Sequence, residues 1–209
     1  MRRHYADQGL AEADLTDDPL ELFGRWFVDA AGAGVVEPNA MVLATVGPDG
    51  WPQARTVLLK GYDDRGLRFF TNTGSDKATA LAATPRAALV LPWHPVERQV
   101  RVTGPVQPLP AGEVDDYFAH RPRDSQLGAW ASPQSRAVAS RAELEARLAE
   151  VRSRFPEGTG VPTPPEWGGY RVVPLCWEFW AGRAGRLHDR LRYRRSAPGA
   201  PWVVERLAP

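Results

Sequence analysis

AMVLATVGPDGWPQARTVLLK, residues 40–60, reads as two apolar-rich strands around a tight reversal at Pro48–Asp49–Gly50. A second turn at Asp63–Gly66 leads into LRFFTN (67–72), and a short helix opens at Ser75 as N-cap and ends before Pro85. AALVLPW (87–93) and RQVRVTGPVQPL (98–109) follow, the second alternating for several residues. From Ala40 to Leu109 the pattern is therefore an antiparallel meander, long enough to close into a barrel.

Upstream, residues 1–16 are polar and aperiodic and read as an arm, with one domain predicted over 17–209. The first helix carries Asp18 as N-cap, Pro19 in the first turn and Glu21 at the capping-box position, with Leu20, Phe23, Phe27 and Ala30 on one face and a stop at Gly32 and Gly34. Downstream, helices are predicted near 111–120, 125–131 and 140–155, the last with a Ser140-x-x-Glu143 box. After a Pro/Gly-rich loop at 162–169, strands return at YRVV, CWEFW, RLHDRLRYR and WVVERL and complete the same sheet. The class is α+β, an antiparallel barrel with flanking helices.

Composition narrows the function. With 43% hydrophobic residues, 24% charged residues and a net charge of +1, the chain is globular and has no general pull toward nucleic acid or anionic lipid. No run approaches the roughly 18 apolar residues that span a bilayer. A single cysteine, Cys176, excludes an internal disulfide framework, and no signal-peptide pattern follows Met1, so a cytoplasmic protein is expected. His4, His94, His120 and His188 are scattered, so no metal site is expected. All but Lys60 and Lys77 of the 26 Lys and Arg residues are Arg, and a compact ammonium suits a point contact with phosphate oxygens.

Tyr117, Arg121 and Ser125 lie four apart across a helix end that Pro122 enforces. A guanidinium with two hydroxyl donors suits a phosphate monoester, although spacing alone favours a helix end with a solvated Arg. Arg186, His188 and Arg190 alternate and should share one strand face; by themselves they would read as the wet side of a sheet. Trp180 alone would read as core.

The strings RPRDSQLGAW (121–130), ARTVLLK (54–60), TNTGSDK (71–77), PWHPVERQV (92–100), WGGYRV (167–172), EFWAGRAGRLHDR (178–190) and RLAP (206–209) resemble, in order and spacing, the pyridoxine/pyridoxamine 5'-phosphate oxidase family. The resemblance runs from Arg2 to Pro209. It implies an FMN-binding split β-barrel, Greek-key-like and antiparallel, that works as a homodimer with FMN at the subunit interface. The implied reaction oxidises pyridoxine or pyridoxamine 5'-phosphate to pyridoxal 5'-phosphate, with hydride passing from C4' to flavin N5 and O2 reduced to H2O2.

By the same resemblance, Arg55, Lys77, Gln134 and Ser135 would hold the FMN phosphate, Thr56, Val57, Leu58, Lys60, Phe70 and Thr71 would line the cofactor site, and Gln99, Trp180 and Arg190 would surround the isoalloxazine. Lys60, Tyr117, Arg121 and Ser125 would bind the substrate phosphate, Arg186 and His188 would face the pyridine ring as catalytic residues, and Arg2 and Tyr5 would belong to an arm closing over the site. Asp76 stands where many relatives carry a basic residue; it either weakens FMN binding or serves the helix dipole and leaves the phosphate to Lys77 and Arg55. Two rivals remain: a flavin oxidase of the phenazine-biosynthesis type, against which the intact RPRDSQ argues, and a non-catalytic split-barrel flavin or pyridoxal phosphate carrier, against which Arg186 and His188 argue. A nucleic-acid-binding barrel is disfavoured by the near-zero charge.

Overall fold

A computed structural model describes residues 9–209. The hairpin forms as the sequence indicates: β1 (Ala40–Val46) pairs antiparallel with β2 (Pro52–Leu58), Leu43 opposite Arg55. Chain order then gives β3 (Gly61–Asp63), β4 (Gly66–Asn72), α2 (Asp76–Ala83), β5 (Arg86–Trp93) and β6 (Arg98–Pro108), all after α1 (Pro19–Gly32). Helices α3 (Ala111–Ala119), α4 (Arg123–Ala131) and α5 (Arg141–Arg154) follow, and the sheet resumes with β7 (Trp167–Val172), β8 (Cys176–Ala181), β9 (Asp189–Arg194) and β10 (Val203–Arg206).

Strand β6 decides the architecture, because its two ends serve different partners. Arg98–Thr103 pairs with β8, while Val106–Pro108 pairs with β7. The switch falls at Gly104, where a Cβ would lie 1.9 Å from the Val173 carbonyl oxygen, so only glycine lets the strands approach. Hydrogen bonds link β2–β1–β5–β6–β7–β4–β3 in sequence, and β2 runs into β3 through Leu59 and Lys60, which completes the circuit as a split barrel. β8, β9 and β10 extend from β6 as a wing.

Alternation sorts the faces. Leu43, Leu89, Val102, Trp177 and Tyr193 stand opposite one another on successive strands β1, β5, β6, β8 and β9, and all are buried. Helix α1 covers this row with Leu22, Phe23, Trp26 and Ala30. Its buried stripe is thus turned from the expected one: Leu20 and Phe27 only flank the core, because Trp26 packs edge-on against Phe179 and takes the central position. The Asp18 carboxylate accepts the Leu20 N–H as expected for an N-cap, and Pro19 begins the helix where no donor is needed. Burying a Phe23-sized side chain contributes about 1.5–3 kcal/mol, so this face anchors α1.

A second cluster, Phe118, Leu127 and Val161 with Trp130, Phe155 and Trp167 against it, joins α3, α4 and α5. At α5 the Ser140 Oγ accepts the Glu143 N–H, while the Glu143 carboxylate reaches back to the Ala139 N–H, one residue before the expected partner. Residues 9–16 lie on the sheet: Leu10 is 2% exposed within the main core, and the Thr16 carbonyl accepts the Tyr193 hydroxyl. No helix among the described residues is long and apolar enough to cross a membrane.

Candidate active site

Two cations sit beside the start of α2. Arg55 points to the core side of the sheet, where its Nη1 donates to Thr45 Oγ1 at 2.7 Å and its Nη2 to Gln53 Oε1 at 2.9 Å. Lys77, in the first turn of α2, donates to Gln134 Oε1 at 2.7 Å, Thr71 Oγ1 at 3.1 Å and Ser75 Oγ at 3.3 Å. Burial lowers the pKa of both groups, and the Arg55 charge lowers that of Lys77 further. Ser75 turns its hydroxyl to the Asn72 carbonyl and caps no amide, so the first-turn N–H groups of α2 keep their dipole available. Ser135 adopts a left-handed φ of 67° directly after Gln134. Asp76 is exposed at the first helical position and draws the pKa of both cations back up.

Around that cluster, Val57 packs against the core, Leu58 is half-buried and Thr56 is exposed on the outer side of β2. Lys60 is exposed at the β2–β3 junction, its N–H bonded to the Arg68 carbonyl. Phe70 of β4 stacks on Tyr117 of α3.

The segment 117–126 divides its labour. Arg123 donates to the carbonyls of Thr159, Phe155 and Pro156, each at 2.7 Å, and so ties α4 to the end of α5. Gln126 is buried and donates to the Phe118 carbonyl at 2.8 Å, which closes the end of α3. Arg121 does neither. Its guanidinium lies 4.1 Å from the Trp167 ring centroid and 5.5 Å from that of Phe118, with Nη1 buried and unbonded. No carboxylate pairs with it among the described residues. Burial lowers its pKa and raises that of Tyr117 nearby. Ser125, half-buried, stands in the first turn of α4.

A third group lies across β6, β8 and β9, where Gln99 stands opposite Trp180 and Trp180 opposite Arg190. This row is on the outer face of the sheet, whereas Arg55 is on the core side. Arg190 donates to Glu178 Oε1 at 3.0 Å and to the Ala208 carbonyl at 2.9 Å. The His188 ring lies 4.7 Å from that of Trp180, and the Arg183 N–H donates to its Nδ1 at 3.1 Å. A neutral ring with Nδ1 accepting carries its proton on Nε2 and presents a donor there.

Arg186 departs from expectation. It lies outside β9, exposed in a 3-10 turn at φ 66° directly after Gly185 at φ 68°. Two consecutive left-handed residues break the alternation, so Arg186 does not share a strand face with His188 and Arg190. Arg2 and Tyr5 lie outside the described residues. Sequence reasoning missed Glu178, which anchors Arg190, and Asp189, which receives Leu10, Arg183 and Arg206. Among the described residues no group of three or more His, Cys, Asp or Glu could hold a metal ion.

The pyridoxamine 5'-phosphate oxidase family profile matches residues 27–155, which takes in the Arg55–Lys77 cluster and the Tyr117–Ser125 segment. The chain belongs to the pyridoxamine 5'-phosphate oxidase family. A second profile, the pyridoxine 5'-phosphate oxidase C-terminal dimerisation region, matches residues 167–209 and contains the His188 loop. A curated pyridoxine/pyridoxamine 5'-phosphate oxidase from a Nocardioides species is 58% identical over the whole of this chain and 96% of its own length. PhzG from Burkholderia lata, solved in complex with tetrahydrophenazine-1-carboxylic acid, superposes with a TM-score of 0.89 at 35% identity, covering 97% of this chain and 99% of that one. An FMN-binding, pyridoxamine 5'-phosphate oxidase-related protein from Nostoc punctiforme shares the fold, with a TM-score of 0.74 at 18% identity over 93% of this chain and all of that one. The chain is accordingly an oxidoreductase by its close relatives, and the split barrel described above is the fold it shares with the two solved structures.

Proposed function

We propose that the protein is an FMN-dependent oxidase that converts pyridoxine 5'-phosphate and pyridoxamine 5'-phosphate to pyridoxal 5'-phosphate. The observation that carries this reading is Arg121, a guanidinium held against Trp167 and lacking a carboxylate partner among the described residues, beside the Tyr117 hydroxyl. A phosphate monoester supplies the missing negative charge and accepts from Arg121, Tyr117, Ser125 and Lys60.

The residues fit FMN as well. Arg55 and Lys77 repel each other, and Lys77 donates to the neutral groups Thr71, Ser75 and Gln134. A phosphate between them relieves that repulsion and meets the open amides of α2. Gln99, Trp180 and Arg190 form the candidate surface for the flavin ring, with Arg190 offsetting negative charge on it. FMN, when bound, supplies the two-electron acceptance at N5 and the return of those electrons to O2 as H2O2.

The two faces favour a homodimer. The phosphate cluster is on the core side of β2 and the Gln99–Trp180–Arg190 row is on the outer side of β6, β8 and β9, so a cofactor reaching both draws them from two copies. The match of residues 167–209 to a dimerisation region supports this arrangement. His188 orients the substrate ring through its Nε2–H, and Arg186, exposed in a turn, reaches the ring from the loop.

The test is to purify the full chain, record its flavin spectrum and follow peroxide release with phosphorylated and unphosphorylated vitamers. Turnover confined to phosphorylated vitamers, with a KM raised sharply by Arg121→Ala, is the expected result. A colourless protein inert with added FMN, or an unchanged KM, defeats the reading. The likeness to PhzG favours a second reading, oxidation of a reduced phenazine precursor, which predicts turnover of tetrahydrophenazine-1-carboxylic acid in preference to the vitamers.

A further inference from the structure

The loop carrying His188 joins β8 to β9, and its ends meet at the pair Ala181–Asp189. Asp189 is buried and lies on the face opposite His188 and Arg190. Its carboxylate gathers three separate parts of the chain. Oδ2 accepts the Leu10 N–H at 2.9 Å and Arg183 Nε at 2.6 Å, and Oδ1 accepts Arg206 Nη1 at 2.6 Å. Arg206 closes the ring by donating to the Leu10 carbonyl at 3.0 Å and to Glu12 Oε1 at 2.6 Å. Leu10 is thus held through both its backbone groups. Gly9 completes the contact: at φ 38°, a Cβ there would lie 2.0 Å from Arg183 Nη2.

Arg183 is the link to the site. Its side chain is held by Asp189, and its backbone N–H donates to His188 Nδ1. We propose that Asp189 is a positioning residue that couples the root of the N-terminal segment to the His188 ring through Arg183. The proposal rests on the reading of His188 as a substrate-facing group. A carboxylate that only tied chain ends together would need no Arg183; here the same oxygen serves both Leu10 and Arg183, so loss of the carboxylate releases the root and the residue that orients the imidazole together. Ion pairs of this kind hold geometry well because each bond is charge-assisted and directional.

The experiment uses the FMN-loaded full chain with Asp189→Asn, which keeps the shape and removes the charge, and reads kcat for pyridoxine 5'-phosphate, FMN affinity and amide hydrogen exchange. Asp189→Asn should speed exchange in residues 9–14 and 182–188 together and lower kcat about tenfold to a hundredfold, leaving FMN affinity unchanged. Arg206→Gln, on the edge strand β10, should loosen residues 9–14 and lower kcat less; it carries the test if Asp189→Asn does not fold. Faster exchange with normal kcat in the variants reduces Asp189 to a structural tie and overturns the proposal, as does unaltered exchange. His188→Asn separates the two readings. If it retains full kcat, the assignment of His188 fails; if it is impaired while Asp189→Asn is not, Asp189 alone is overturned.

Discussion

The rings of Phe70 and Tyr117 are parallel within 8°, their centroids 3.7 Å apart. This stack joins β4 to α3 at the point where Tyr117 presents its hydroxyl toward the proposed substrate phosphate. An aromatic pair contributes about 0.5–1.5 kcal/mol beyond its buried area. Phe70→Ala should therefore raise the KM for pyridoxine 5'-phosphate about two- to tenfold, on the scale where 1.4 kcal/mol is tenfold. Tyr117→Phe keeps the stack and removes only the donor, so steady-state kinetics on the two variants separate positioning from hydrogen bonding.

Lys77 should matter more with FMN than without it. A hydrogen bond to a charged group is worth about 1.5–3 kcal/mol, so Lys77→Gln should weaken FMN binding roughly ten- to hundredfold by flavin fluorescence titration. In the apoprotein the sign reverses. Burial and Arg55 lower the Lys77 pKa, so the unfolded chain binds more protons between the folded pKa and about 10.4. Apoprotein stability should rise with pH across that window in the wild type, and this rise should be absent in Lys77→Gln. Thermal melts over alkaline pH check the difference.

Asp76→Arg tests the other contribution to this cluster. Asp76 is exposed and stabilises the cationic forms of both Arg55 and Lys77, so its replacement should lower the Lys77 pKa further and cost apoprotein stability. It should also tighten FMN binding, since a third cation faces the phosphate. Titration of FMN at two salt concentrations checks it, because the gain at an exposed position shrinks as salt rises.

Local patterns carried the strands well because burial alternates on β1, β5 and β9, which is the signal that period-2 reading detects. The face of α1 was harder: Leu20, Phe23 and Phe27 are as helical in spacing as Leu22, Phe23 and Trp26, and only the packing of Trp26 on Phe179 chooses between them. Arg186 was misplaced because an alternating Arg-Leu-His string carries no sign of the left-handed turn at Gly185–Arg186. The motif around Arg121 was visible as a string, but not that Arg123 and Gln126 serve structure while the Arg121 Nη1 stays buried and unbonded. Contacts such as Thr71 with Gln134, 63 residues apart, and Leu10 with Asp189, 179 apart, have no local signature.

Gly104→Ala probes the split in the barrel. The new methyl would meet the Val173 carbonyl, a backbone atom fixed by the Val173 N–H bond to the Pro105 carbonyl, so relief requires moving β6 away from the β7–β8 connection. Overpacking of this kind costs about 1–3 kcal/mol. At roughly 2–4 °C per kcal/mol for a chain of this size, Tm should fall by about 2–12 °C, with β6 amides exchanging faster near residue 104. A Tm equal to wild type would mean that the strands part there without cost.

Asp189 also predicts an acid limit. Burial raises its carboxyl pKa, but the Leu10 N–H and the Arg183 and Arg206 guanidiniums outweigh burial and hold it below the ordinary value, with Glu12 as the other carboxylate on Arg206. A folded pKa below the unfolded one of about 3.9 means that the stabilisation is fully present above that pH. It is then lost as the pH falls through the folded pKa. The Tm difference between wild type and Asp189→Asn should accordingly stay constant from neutral pH down to about 4 and shrink on further acidification, since a protonated Asp189 is as neutral as the amide that replaces it in the variant. A difference that began to close near pH 6 would mean that Asp189 does not set the acid limit.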